Sequence, residues 1–161
     1  MAQPVKKEIK KAHKIKKVKK TTPQGKKKHK EYGTSKLEEK FAKEFLEKLG
    51  VNYVYQYKAE SISRWFDFYI PSANLIIEID GGWYHSDPRV IEGRELNPMQ
   101  KKNKRVDELK NKWAFSHGIP ILRIWEKDIN ENPSAVMKLL KEKLKSSTDK
   151  LQLEEEKKKR H

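Results

Sequence analysis

The residues best suited to chemistry lie between Trp65 and His85, where three carboxylates and an imidazole interrupt a largely apolar stretch. Asp67 comes before a turn at residues 71–74. Glu78 and Asp80 come after it, two residues apart, so on a β-strand they point to one face. Because an unpaired buried charge is costly, acids on an apolar strand need a partner. A divalent cation between Asp67 and the Glu78/Asp80 pair would be such a partner.

Carboxylate oxygens suit Mg²⁺, for which Mn²⁺ can substitute, and these ions keep several waters that a substrate phosphate can replace. The imidazole of His85 can take a proton from an attacking water near neutral pH. Asp107 on a later helix and Glu38 on the first helix can approach the same place. The combination predicts metal-assisted hydrolysis of a phosphodiester bond. The candidate catalytic residues are Glu38, Asp67, Asp80, His85 and Asp107, and the candidate metal ligands are Asp67, Glu78 and Asp80.

Each of these residues also has a structural explanation. Glu38 lies three residues after Ser35, and this spacing alone favours a helix-capping box. The Glu78/Asp80 pair can form ion pairs with Arg or Lys, which the chain has in excess. His85 can be an ordinary surface or core residue, Asp107 a helix-surface charge, and the pair Trp83-Tyr84 is interpreted as core rather than as a wedge into DNA. Only the combination of these residues therefore indicates a catalytic site.

Hydrophobic spacing predicts the elements that hold these residues. Residues 35–50 predict an amphipathic helix ending at Gly50, and residues 51–57 a strand with Tyr53, Tyr55 and Tyr57 on one face. Two strands follow within residues 65–80, then an irregular loop over residues 86–97. A helix over residues 99–117, with Val106, Leu109 and Trp113 as its stripe, a strand over 119–125 and a helix over 133–145 complete the pattern. The order predicts an α/β domain, a mixed sheet flanked by helices, over residues 34–145.

The positive charge of the chain is concentrated at one end. Of a net charge of +15, residues 1–33 carry +11, from thirteen lysines and two glutamates. Such a segment is predicted to be a disordered arm that binds double-stranded DNA through its phosphates. The candidate DNA-binding residues are Lys16, Lys17, Lys19, Lys20, Lys26, Lys27 and Lys28 in the arm, with Arg89 and Arg94 in the irregular loop. Residues 146–161 are expected to be a charged tail without a core-facing pattern.

Several classes of protein are excluded or disfavoured by composition. The chain has no cysteine, so neither a disulfide framework nor a thiolate zinc site can form. No stretch is long and apolar enough for a membrane span or a signal peptide, so we expect a cytoplasmic protein that is not secreted and does not enter a membrane. No motif calls for a small-molecule cofactor.

Four motifs together resemble a known family. The strings F-D-F, I-I-E-I-D-G-G-W-Y-H, Asn103-x-x-x-Asp107 and G-I-P-I-L-R-I-W-E are similar to the very-short-patch repair branch of the PD-(D/E)XK nucleases and to the related EDxHD phage homing endonucleases. The resemblance covers about residues 35–128. It implies a restriction-endonuclease-like core in which Asp67 binds metal, His85 is the general base and Asp107 supports it. The first-helix glutamate of the family matches Glu38, with its neighbour Glu39 as the alternative.

The chain departs from this family in three respects. The lysine that the family at large has two residues after the strand acid is replaced by Asp80, which fits the branch that uses histidine. The zinc-binding cysteines of the repair enzymes are absent, and their histidine cluster after the aromatic pair is reduced to His85 alone. The loss of the cysteines and of the other histidines favours a free-standing homing endonuclease with a long target site. A mismatch-directed nicking enzyme and a catalytically silent DNA-binding protein are the alternatives, and both a monomer and a homodimer or higher oligomer stay open.

Overall fold

The computed structural model describes residues 34–160, with side chains from residue 36 onward. The predicted basic arm, residues 1–33, lies outside the described residues. So do its candidate DNA-binding lysines, Lys16, Lys17, Lys19, Lys20, Lys26, Lys27 and Lys28. No helix among the described residues is both long and apolar enough to cross a membrane.

One four-stranded mixed sheet, in the order β1-β2-β3-β4, forms the centre of the α/β fold. Its strands are β1 (Val54–Ala59), β2 (Arg64–Ile70), β3 (Leu75–Asp80) and β4 (Ile121–Trp125). The first three pair antiparallel, and β4 pairs with β3 in parallel. A short 3₁₀ turn at Pro71–Ala73, followed by Asn74 in the left-handed region, joins β2 to β3. The mixed sheet and the hairpin predicted from the sequence are therefore confirmed.

In the part of the chain that the structure describes, five α-helices flank this sheet. They are α1 (Thr34–Phe41), which continues as a π-helix over Ala42–Leu46, α2 (Pro88–Ile91), α3 (Pro98–Ser116), α4 (Glu126–Glu131) and α5 (Pro133–Lys159). The sequence pattern missed the short helices α2 and α4, because four to six residues are too few to show a helical period. The prediction that the last helix ends at residue 145 was wrong, since α5 continues to Lys159. None of residues 146–159 is buried, so this part of α5 has no face toward the core.

The core lies on both faces of the sheet. The alternate residues Leu75, Ile77 and Ile79 of β3 pack with Phe41 and Phe45 of the first helix in the larger cluster. On the other face Ile76 joins a smaller cluster with Ala59, Phe66 and Ala114. All six residues of β3 are buried, as its apolar sequence predicts. The face that carries Ile76 also carries Glu78 and Asp80, so these two acids point toward α3.

Tyr53, just before β1, and Tyr55 and Tyr57 within it do not share one face as predicted. Tyr53 and Tyr55 contact Phe68 of the larger cluster, whereas Tyr57 stacks on Tyr69 and packs against the smaller cluster. Between them Gln56 has φ +54°, a left-handed conformation that interrupts the alternation of a regular strand. Periodicity alone cannot detect such a residue.

The buried face of α3 is largely polar. The helix begins with a capping box formed by Asn97 and Gln100, and Gly118 follows it with φ +67°. Its buried residues are Gln100, Lys110 and Ala114, while Leu109 of the predicted stripe is 40% exposed. The prediction of the helix was correct, but the predicted face was wrong at Leu109. The helix turns polar side chains toward the sheet.

Gly82 is a test of how tightly the segment after β3 packs. A Cβ added there would lie 2.8 Å from Cγ2 of Val90 in α2, which is too close for an unshifted structure. We expect Gly82→Ala to lower the free energy of unfolding by about 1–3 kcal/mol, the usual cost of overpacking, as measured by urea denaturation.

Its neighbour Gly81 is the matched control. A Cβ there would meet Cδ2 of Tyr84 at 3.6 Å, an ordinary contact. Gly81→Ala should therefore leave stability nearly unchanged. Equal losses in both variants would contradict the close packing of Gly82 against α2.

Candidate active site

The site forms where β2 and β3 stop pairing. Their regular register runs from Ile70 opposite Leu75 to Phe68 opposite Ile77. One step further, Oδ2 of Asp67 accepts a hydrogen bond from the backbone N–H of Ile79 at 2.7 Å. A carboxylate thus replaces a carbonyl in the ladder, which fixes Asp67 beside the acids of β3.

Glu78 is held by a lysine that α3 supplies. Lys110 Nζ lies 2.6 Å from Oε1 of Glu78, and both residues are buried. The approach is an ion pair outside hydrogen-bond angles, so this buried oxygen accepts no hydrogen bond from the described residues. The same ammonium lies 4.9 Å from the centre of the Phe66 ring, a favourable cation–π distance.

Asp80 is paired with an arginine of β4. Nη1 of Arg123 donates to both carboxylate oxygens of Asp80, at 2.9 and 3.0 Å. Nη2 of the same guanidinium donates to Oδ1 of Asn111 at 3.1 Å. The structural reading of the Glu78/Asp80 pair, one ion pair for each acid, is therefore what the structure shows.

His85 and Asp107 form the dyad that the sequence predicts. Nδ1 of His85 lies 2.7 Å from Oδ2 of Asp107 and 3.8 Å from Oδ1 of Asp80. Burial alone would lower the pKa of His85, but the hydrogen bond to Asp107 and the charge of Asp80 outweigh it and raise that pKa. With Asp107 holding Nδ1–H, the neutral ring carries its lone pair on Nε2.

Glu38, on α1, lies near enough to Asp67 that burial and the charge of Asp67 both raise the pKa of Glu38. Its Oε2 accepts hydrogen bonds from the hydroxyl of Tyr55 at 2.6 Å and from Nε2 of Gln56 at 3.1 Å. The side chain of Ser35, its predicted capping partner, lies outside the described residues. The described contacts bind Glu38 to β1, and its neighbour Glu39 is exposed, which favours Glu38 as the helix-1 glutamate of the site.

We call Glu38, Asp67 and Glu78 the carboxylate cluster, because each affects the protonation of another. Burial, followed by the charge of Asp67, raises the pKa of Glu38 to about 7 and that of Glu78 well above its usual range. Burial also raises the pKa of Asp67. Crowded acids that resist ionisation are typical of functional sites.

The donor set fits a hard cation held in part by its substrate. Among residues 34–160 no three His, Asp or Glu side chains form a ready-made metal cage. Mg²⁺, however, is commonly bound by one or two carboxylates together with waters and substrate phosphates. Asp67 has one oxygen free of the Ile79 hydrogen bond, and Glu78 offers a buried oxygen without a hydrogen bond.

The segment after β3 differs from its interpretation at its aromatic pair. Trp83 and Tyr84 are 43% and 38% exposed, so their interpretation as core was wrong. The guanidinium of Arg89 donates to Asp87 and Asp128, which ties α2 to α4. A role of Arg89 on DNA stays a prediction.

Arg94, the other candidate in this loop, is mostly exposed and lies 3.6 Å from Glu92. A role of Arg94 on DNA also stays a prediction.

Sequence reasoning did not single out the two cations of the site, Lys110 and Arg123. A signal for Lys110 was present. Gln100, Asn103, Asp107, Lys110 and Ala114 recur at alternating intervals of three and four, the spacing of one helix face. Four of the five are polar, so a search for apolar stripes overlooks them. Gln100 and Asn103 donate to the carbonyls of Trp83 and Tyr84, which fixes the segment leading to His85.

Comparisons of the chain with protein-family models, with curated proteins and with solved structures found no match. The resemblance to the PD-(D/E)XK nucleases therefore rests on the motifs and stays a prediction.

The raised pKa of Glu38 predicts a pH-dependent stability. The folded protein keeps this proton up to about pH 7, whereas an unfolded glutamate releases it near 4.5. Stability should therefore fall as pH rises through this window, by about 3 kcal/mol in all. Glu38→Gln keeps an oxygen for Tyr55 and Gln56 but cannot ionise.

Urea denaturation in EDTA, at intervals from pH 4.5 to 8, measures this effect. The stability of wild type relative to Glu38→Gln should decline across the window. A constant difference between the two proteins would show that Glu38 ionises normally. Glu39→Gln, at the exposed neighbour, is the control and should follow wild type.

Proposed function

We propose that the chain is a metal-dependent DNA endonuclease that hydrolyses phosphodiester bonds. The observation that carries the proposal is the 2.7 Å contact between His85 and Asp107, which lies 3.8 Å from the buried carboxylate of Asp80 in β3. An oriented imidazole next to oxygen donors is what hydrolysis of a phosphodiester by an activated water requires. The resemblance to the EDxHD nucleases supports the same assignment.

In this proposal His85 takes the proton of the attacking water. Asp107 accepts the Nδ1–H hydrogen bond, so Nε2 is the atom that receives the proton. Asp107 also stabilises the imidazolium that results. Asp80 lies 3.8 Å from the same Nδ1 and is itself fixed by Arg123. Asp80 thus supports the dyad electrostatically more directly than it would bind a metal.

Asp67 and Glu78 are the residues that would hold Mg²⁺ or Mn²⁺. When bound, such an ion polarises the scissile phosphate and stabilises the leaving oxygen. Glu38, next to Asp67, would contribute at the position of a second metal ion or through a water bound to the metal. The excess of positive charge at residues 1–33 would grip the duplex, and the loop with Arg94 would contribute site preference.

A free-standing homing endonuclease that acts in the cytoplasm of its host is the form of this function that we favour. It follows from the resemblance and from the lack of cysteine. A mismatch-directed nicking enzyme gains support from the exposed aromatic pair Trp83 and Tyr84, since aromatic wedges open base steps. A silent DNA-binding protein gains support from the pairing of Glu78 with Lys110 and of Asp80 with Arg123.

The His85→Ala variant tests the central assignment. Loss of a general base typically lowers a rate by about 10²–10⁴-fold, so we expect cleavage of plasmid in Mg²⁺ to fall by that order while DNA affinity stays within about twofold. Cleavage is followed on gels and affinity by fluorescence anisotropy. His117→Ala, at an exposed histidine that follows α3, should cut like wild type.

Two comparisons separate the three candidate functions. Plasmid and a mismatched duplex, each incubated with Mg²⁺ and with EDTA, distinguish either enzyme from a silent binder, which cuts neither DNA under either condition. Matched and mismatched duplexes distinguish the enzymes, because only the nicking enzyme prefers the mismatch. Cutting by His85→Ala at the wild-type rate would refute the role of the imidazole.

Arg94→Ala tests the role of the loop. Arg94 is exposed, so its removal should leave stability unchanged while DNA affinity and the choice of cleavage site alter. Arg89→Ala should in addition destabilise the fold, because Asp87 is buried and would lose its partner. If neither variant changes affinity or site choice, the loop does not read DNA.

A further inference from the structure

Lys110 occupies a central position in the site that the proposed mechanism does not use. Its ammonium lies 2.6 Å from Glu78 and is 8% exposed. Its charge also acts on the other two members of the carboxylate cluster, Glu38 and Asp67. One buried cation therefore acts on three acids contributed by α1, β2 and β3, of which Glu38 and Glu78 are buried.

A buried ammonium among acids has a clear electrostatic role. Two or more carboxylates cannot ionise side by side in a medium of low dielectric unless a cation lies between them. Burial raises the pKa of all three acids, and Lys110 opposes that rise at each of them. Lys110 thus supplies the positive charge that a divalent ion would supply.

We propose that Lys110 is the resident counter-ion of the carboxylate cluster and competes with a divalent cation for Glu78. This inference rests on the proposed function, because it concerns the same site. The 2.6 Å contact leaves no room for an ion between Nζ and Oε1. An ion bound to Oε1 of Glu78 and the contact of Lys110 with that oxygen therefore exclude one another.

This competition has a consequence for the order of binding. The free protein keeps its carboxylates neutralised and its core intact without metal. It then binds a divalent cation weakly, because the ion must displace Lys110. A DNA phosphate brings negative charge that both cations can share, so the metal site is completed when the substrate arrives.

The Lys110→Met variant tests the competition by a gain of binding. The variant removes a repelling charge, so we expect it to bind Mn²⁺ in the absence of DNA about tenfold more tightly than wild type. Its melting temperature in EDTA should fall, and Mn²⁺ should raise it more than in wild type. Isothermal calorimetry at pH 8 and thermal denaturation measure these effects.

Two further variants make the result decisive. Lys110→Gln, which is neutral and keeps a polar amide near Glu78, should show the same tighter binding and replaces Lys110→Met if that variant does not fold. Lys112→Met, at an exposed position of the same helix, should behave as wild type. A merely structural lysine would give variants that bind Mn²⁺ equally or less tightly, which would overturn the competition.

Failure of the inference is distinct from failure of the proposed function. If wild type binds Mn²⁺ and cuts DNA while the Lys110 variants bind no more tightly, only the role of Lys110 is refuted. If neither wild type nor any variant binds Mn²⁺ or cuts DNA, the nuclease proposal and the competition fail together.

Discussion

Compensation of buried negative charge is the constraint on which this structure depends. Glu38, Glu78 and Asp80 are all nearly inaccessible to water, and each would be strongly destabilising if left alone. Each acid pairs with a residue from another element of the fold. Lys110 comes from α3, Arg123 from β4, and two neutral donors from β1. The polar contacts that join α1 and α3 to the sheet thus also belong to the candidate site.

This arrangement explains why α3 keeps a polar inner face. An apolar helix would pack against β3 at lower cost, because buried ion pairs seldom stabilise a fold more than hydrophobic contacts do. Lys110 and Asp107 lie three residues apart on that face, so both point toward β3, one to Glu78 and the other to His85. Retention of charged side chains at such cost, in a domain of modest core, favours a functional reason for them.

The sequence predicted the strands and the long helices of this molecule better than the local backbone conformations and the contacts between elements. An unbroken apolar run identified β3, and the regular spacing of Phe41 and Phe45 identified the first helix, because burial on a fixed period leaves a visible pattern. The proximity of His85 to Asp107 was also predicted. The left-handed backbone of Gln56 was not predicted, because hydrophobic spacing does not report the backbone conformation of a single residue. The pairing of Asp80 with Arg123 was not predicted either, because it joins residues 43 positions apart.

The point at which β2 and β3 stop pairing is also the point at which the fold positions Asp67, a candidate metal ligand. If the ladder continued, backbone groups would bond to each other, and Asp67 would have no structural reason to be a carboxylate. Instead its side chain accepts the hydrogen bond of Ile79 N–H at the point where regular pairing ends. Oδ2 bonds to the sheet, and the charge of Lys110 and the side chain of Glu78 both act on the same carboxylate. A residue that completes the sheet with one atom and offers a second to a ligand is rigidly placed, which is what a site for a small, geometrically demanding cation needs.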